Sequence, residues 1–316
     1  MMLRNRLYKM INRERFERLV MSPDANETFR LLTEYGYPDM SGMDLRKINS
    51  VLSERRAAIF YDLKLDVPAA DIVDMFRIKY DYHNIKVLIK SAGSAAELLS
   101  ASGRVSPDRI AECFLRGETD SLPRDMRDAI NVSQDVFSRT GDPQLADIAA
   151  DKAYFAQLLR LADSIDCPYI TSCARLMIDS ANLRTVVRSL RMKKAAEFIS
   201  GALIDGGTIS PGALSAACVS GDVYELFANT RLKKAAEEAR AAASGGSLTA
   251  FERECDNAVA DPYFDAACVS FGPEPVAAYL SHLENELTSV RIILTGKLTG
   301  ASPELIRERL RVCNVF

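Results

Sequence analysis

Apolar residues recur along this chain at spacings of three and four and almost never alternate. In "GDPQLADIAADKAYFAQLLRLADSI", Leu145, Ile148, Phe155, Leu159, Ala162 and Ile165 fall at helical spacing. Asp142 stands ahead of them as an N-cap, with Pro143 at the first helical position. "SPDANETFRLLTEYG" reads the same way, with Ser22 as N-cap and Pro23 as first residue. "TRLKKAAEEARAAASGG" is alanine-rich and stops on glycines. No convincing run alternates as a strand would, so the pattern predicts an all-α fold.

The stretch from Ala70 to Ala92 is unusual. It predicts an unbroken helix of about 35 Å, at roughly 1.5 Å per residue. Ile72, Phe76, Ile85, Val87 and Ile89 cover much of its girth, yet Arg77, Asp81 and Asn84 share one strip. Lys86 and Lys90 occupy a neighbouring face. A helix so largely enclosed must give its polar strip charged partners, water or another protein.

The strip repeats. "RIKYDYHNIK" (77–86), "RLMIDSANLR" (175–184) and "HLENELTSVR" (282–291) share a frame. Its members are Arg77, Asp81, Asn84 and Lys86; then Arg175, Asp179, Asn182 and Arg184; then, more loosely, His282, Glu286, Ser289 and Arg291. A proline precedes each long helix (Pro68, Pro168, Pro273), and a Ser-Pro helix start follows each one, at Ser106, Ser210 and Ser302. Three ordered signals predict a divergent triplication of helical units of common domain size, at 1–116, 117–222 and 223–316. The strip itself admits two readings. Arg77 and Asp81 form an intrahelical ion pair while Asn84 ties down a neighbouring loop, or the three strips face a partner.

Composition narrows the function more by exclusion. The 316 residues carry a formal net charge of −3, which gives no global basicity for nucleic acid. Seven cysteines are scattered without a CxxC, as expected of reduced cytosolic thiols. The N-terminus is broken by charge every few residues, and no apolar run is long enough to span a bilayer. The two histidines, His83 and His282, have no metal-ligand spacing. There is no GxxxxGK[ST] phosphate loop and no GxSxG nucleophile elbow, and "SGRVSPD" and "DGGTISPG" are turns before helices. Cys167 and Cys173 read as small buried thiols. Neither an enzyme nor a cofactor or metal site is expected.

The triplicated layout, with "DYHNIKVLIKS" and "DSANLRTVVRSLRMKK" as its marks, resembles the C-type subunits of the V-type and A-type rotary ATPases (ATP synthases), whose eukaryotic counterpart is the d-type subunit. The opening "RNRLYKMINRERFERLVMSPDANETFRLLTEYGY" is similar to that family's N-terminal helical pair, so the resemblance spans essentially the whole chain. Measured against the family, the chain begins a few residues into the first helix or has a shorter one, and Ser289 departs from the Asn of the other copies. The resemblance implies three units forming a funnel with pseudo-threefold symmetry. It implies a non-catalytic socket, peripheral on the cytoplasmic face, between central-shaft subunits of D and F type and the membrane rotor ring. It also implies torque transmission without nucleotide binding or a transmembrane segment. On this reading Arg77, Asp81, Asn84, Lys86, Arg175, Asp179, Asn182, Arg184, His282, Glu286 and Arg291 line or brace the funnel or bind the partner. Rim contacts with the shaft and base contacts with the ring are expected from "SGRVSPDR", "IDGGTISPG" and "LTGASPE". A free-standing helical scaffold is the main alternative, and an enzyme using a carboxylate pair is the weakest.

Overall fold

The computed structural model describes residues 2–67 and 70–311 and, among them, only helices, turns and loops. Pro68 and Cys313 fall outside the described residues. The α-helices are α1 (Met2–Tyr8), α2 (Arg13–Met21), α3 (Ala25–Glu34), α4 (Leu45–Asp66), α5 (Ala70–Ser91), α6 (Pro107–Arg116), α7 (Arg124–Thr140) and α8 (Pro143–Ser164). They continue with α9 (Pro168–Arg191), α10 (Ala196–Ala202), α11 (Pro211–Ser220), α12 (Lys233–Ala243), α13 (Leu248–Ala266), α14 (Glu274–Leu298) and α15 (Pro303–Arg309).

The helix boundaries follow local chemistry. Asp142 caps α8, its Oδ1 accepting the Gln144 N–H at 2.8 Å with Pro143 first in the helix. The Ser-Pro starts open α6, α11 and α15 as the sequence predicts. One cap differs from the expectation. α3 starts at Ala25 with Asp24 as its cap, because the Asp24 carboxylate accepts the Glu27 N–H at 2.9 Å. Ser22 instead ends α2, its hydroxyl engaged with the Leu19 carbonyl at 2.8 Å and the Thr28 hydroxyl at 2.6 Å. The carboxylate outcompetes the hydroxyl two residues earlier.

Contacts group the chain into two compact units, one of Met1–Leu52, Asp179–Gly201 and Pro211–Phe316, the other of Ser53–Ile178 and Ala202–Ser210. In the second, α7 and α8 form a hairpin around Gly141, which adopts φ 64° to end α7. α5 packs on both, placing Ile72, Val73, Ile78, Tyr82, Ile85 and Leu88 beyond solvent. Ala146 and Ala150, one turn apart on α8, present no bulk. Full burial stabilises by about 1.5–3 kcal/mol per large apolar side chain, so α5 is held from most sides.

In the other unit α12 and α13 pair through Ala235, Ala236, Ala239 and Ala242 of α12. α14 lies against α13, α1, α3 and α15. It is buried without interruption from Val276 to Leu283, a run that no amphipathic surface helix would show. Gly296 sets how closely α15 approaches α14: a Cβ there would stand 2.5 Å from Ile306 Cγ1.

Candidate functional site

The repeated polar strip is built into the walls of α5, α9 and α14. Asp81 and Asn84 of α5 are completely buried, and so are Asn182 of α9 and Ser289 of α14. Asp179, His282 and Glu286 are buried as well. The intrahelical ion pair considered for Arg77 and Asp81 does not form. The nearest carboxylate to Arg77 is Asp74, at 3.7 Å, and Asp81 is paired elsewhere.

Asp81 holds the loop in front of α6. Its Oδ1 accepts the Arg104 backbone N–H at 2.7 Å, and its Oδ2 accepts the Arg104 Nε–H at 2.6 Å. Asn84 grips the same loop through a backbone-like double bond. Its Nδ2 donates to the Ser100 carbonyl at 3.0 Å, and its Oδ1 accepts the Ser100 N–H at 2.7 Å. Arg77 Nη2 donates to the Gly103 carbonyl at 2.6 Å. Three side chains of one helix thus satisfy backbone groups that no secondary structure serves. The position of Gly103 is fixed by this approach, since a Cβ would lie 2.5 Å from Asp81 Oδ1. Burial raises the Asp81 carboxyl above its ordinary range, while the Arg104 guanidinium and the N–H donors of Arg104 and Val105 pull it down.

α9 repeats part of this grip, with Arg175 Nη1 donating to the Gly206 carbonyl at 3.3 Å. α14 turns its acid to a different segment. Glu286 Oε2 accepts the Ile11 N–H at 2.7 Å, and its Oε1 accepts the Tyr37 hydroxyl at 2.7 Å, so it ties the N-terminal helices to the third long helix. His282 stands where the other copies have Arg. It packs against Phe264 with ring centres 4.7 Å apart, and burial pushes its imidazole down to about 4.

Two basic members of the frame, Lys86 and Arg184, are half-buried and act as rungs, each with an exposed base one turn further on. Lys86 and Lys90 meet Asp151 and Asp147 of α8 at 2.7 and 3.0 Å. Arg184 and Arg188 meet Asp256 and Glu252 of α13 at 2.5 and 2.6 Å. Arg291 is exposed. His83 is also exposed, with Nε2 3.3 Å from the Leu98 carbonyl. The acidic ends of the rungs lie outside the residues that the repeated frame singles out. Their signal was present: acids four apart (147/151 and 252/256) match bases four apart (86/90 and 184/188). The loop partners Arg104, Ser100 and Tyr37 carry no comparable pattern. Among the described residues, no group of His, Cys, Asp or Glu is placed to hold a metal ion, and no helix is long and apolar enough to cross a membrane.

Two expectations follow from these burials. Asp81→Ala leaves the Arg104 guanidinium and two loop N–H groups without their acceptor. Urea unfolding should show a loss of about 3–5 kcal/mol, and a loss below about 1 kcal/mol would mean the loop is held by other contacts. For His282, the unfolded imidazole takes a proton below its ordinary value near 6.5, while the folded one stays neutral down to about 4. The unfolded chain therefore binds more protons across that window. Stability is fully present above pH 6.5 and falls as pH drops towards 4, by about 3 kcal/mol from this residue. His282→Gln should flatten the pH dependence over that range. An unchanged slope would mean that His282 is protonated in the fold.

A family profile described as ATP synthase (C/AC39) subunit matches residues 2–309. The C-type subunit of the V-type sodium ATPase of Enterococcus hirae is 24% identical, over 98% of this chain and 96% of its own length. The C-type subunit of the A-type ATP synthase of Methanosarcina mazei is 25% identical, and that of Methanosarcina barkeri 24%, each over 96% of this chain and 89% of its own. The helical architecture and the whole-length match agree, and the chain belongs to the ATP synthase (C/AC39) subunit family.

Proposed function

We propose that this chain is a non-catalytic central-stalk subunit of a V-type or A-type rotary ATPase. It is a socket that couples the central shaft to the ion-translocating ring. It passes torque between ATP hydrolysis or synthesis above and proton or sodium movement below. In this reading the three units at 1–116, 117–222 and 223–316 form a funnel with pseudo-threefold symmetry. The funnel sits peripherally on the cytoplasmic face of the membrane, with D-type and F-type shaft subunits and the membrane ring as its partners. The observation that carries the reading is the match of residues 2–309 to a family of ATPase subunits.

The buried strips give the reading its mechanics. A torque-bearing wall must not let its loops shear off its helices. Charge-assisted hydrogen bonds inside the wall resist that motion better than exposed pairs do. Arg77, Asp81, Asn84, Arg175, Asp179, Asn182, His282 and Glu286 are assigned to bracing, from the inside, the loops that meet a partner. Lys86 and Arg184 lock neighbouring helices together. The Ser-Pro loops, held by α5 in the first copy, become the natural rim for the shaft.

The test is a size-exclusion titration of the purified chain against the D-type and F-type shaft subunits of the same organism. A one-to-one complex is expected, weakened by Asp81→Ala in proportion to the loosened loop. No complex at micromolar concentrations, with the shaft subunits shown to be folded, would leave a free-standing helical scaffold as the better description.

A further inference from the structure

The basic rungs follow a rule that the third copy breaks. In the first copy, bases at i and i+4 on the long helix meet acids at j and j−4 on α8, which is the pairing of antiparallel neighbours. In the second copy, Arg184 and Arg188 meet Asp256 and Glu252 of α13 with the same spacing. The third copy offers Arg291, on α14, and the short helix that follows, α15, sets no carboxylate against it. Arg291 is exposed, and its side chain has no ion pair or hydrogen bond among the described residues.

What lies beside Arg291 is a cleft of about 400 Å³ between α14 and α15. One stripe of α14, Thr288, Arg291, Ile292 and Thr295, forms one wall. Leu305 and Ile306 supply an apolar floor, reached because Gly296 lets α15 come close. Arg309 and Arg311 close the far side. Arg311 meets Asp256 at 2.5 Å, a carboxylate it shares with Arg184, whereas Arg309 is exposed and its side chain, like that of Arg291, has no carboxylate among the described residues. Among the described residues, no acidic side chain lines the cleft.

The geometry points to this cleft as the docking site for an acid-bearing helix of another protein, which would continue the ladder that α8 and α13 continue within the chain. A free phosphate or a lipid headgroup would use the two arginines but not the apolar floor. An amphipathic helix with a carboxylate set among apolar residues uses both. The inference rests on the ladder and not on the torque-coupling reading.

The experiment uses the full chain and two probes. One is the ATPase complex of the same organism from which this subunit has been removed. The other is a synthetic peptide of residues 143–164, the helix whose Asp147 and Asp151 already serve Lys90 and Lys86. The charge reversal Arg291→Glu with Arg309→Glu changes two exposed residues and should leave the helical circular dichroism and Tm unchanged. Rebinding to the stripped complex, peptide binding, or both should weaken by about tenfold. A peptide carrying Asp147→Lys and Asp151→Lys should restore binding to the reversed chain. If the reversal weakens the peptide while the unmodified chain fails to rejoin the complex, the cleft stands and the rotary reading falls. If the complex rebinds both chains equally and the peptide does not distinguish them, the cleft is overturned and the rotary reading stands. Capture of anionic phospholipid vesicles through the two arginines, with neither protein probe discriminating, overturns it also.

Discussion

A carboxylate sealed inside a helix wall has to be given donors, and in this chain that requirement fixes the loops. Asp81 sits where solvent cannot reach it, so its oxygens take N–H groups from Arg104 in the segment that leads into α6. That one demand shapes several others. It selects glycine at 103, it presses residues 100–105 against α5, and it leaves Arg77 to cap the Gly103 carbonyl rather than pair within its own helix. Breaking such a buried arrangement from one side costs far more than the pair contributes on balance, which makes it a device for a unique geometry more than for net stability.

The same chemistry is reused with different partners. Glu286 holds the N-terminal segment through Ile11 and Tyr37, and Arg175 reaches Gly206. Outside the buried strips, a half-buried base and an exposed one a turn further on hook onto acids one turn apart on a neighbouring helix. Each such rung is weak alone, worth tenths of a kcal/mol to about 1 kcal/mol, but matched spacing makes it a register mark for helices packed otherwise through alanine and aliphatic side chains.

Much of this is legible in the amino-acid sequence. The helix starts at Pro143, Pro211 and Pro303 and the three long helices follow from caps and apolar spacing, because those signals are local. Asn84 as a loop tie is legible for the same reason: a buried amide must find backbone groups. What stays hidden depends on contacts between distant residues. Nothing near Asp81 in sequence says that Arg104 is its partner, and nothing near Glu286 points to Tyr37. The Ser22 cap misread shows the limit in small compass, since a hydroxyl and a carboxylate two residues apart both qualify and only their other partners decide between them.

The central claim is that these side chains brace backbone within the chain, and amide hydrogen exchange addresses it most directly. The N–H groups of Ser100, Arg104 and Ile11 lie outside regular helix yet donate to Asn84, Asp81 and Glu286. We expect them to exchange as slowly as the interior of α5, opening only with global unfolding. Exchange of these three amides at the rate of solvent-exposed loops would contradict the claim and leave the polar strips available for a partner.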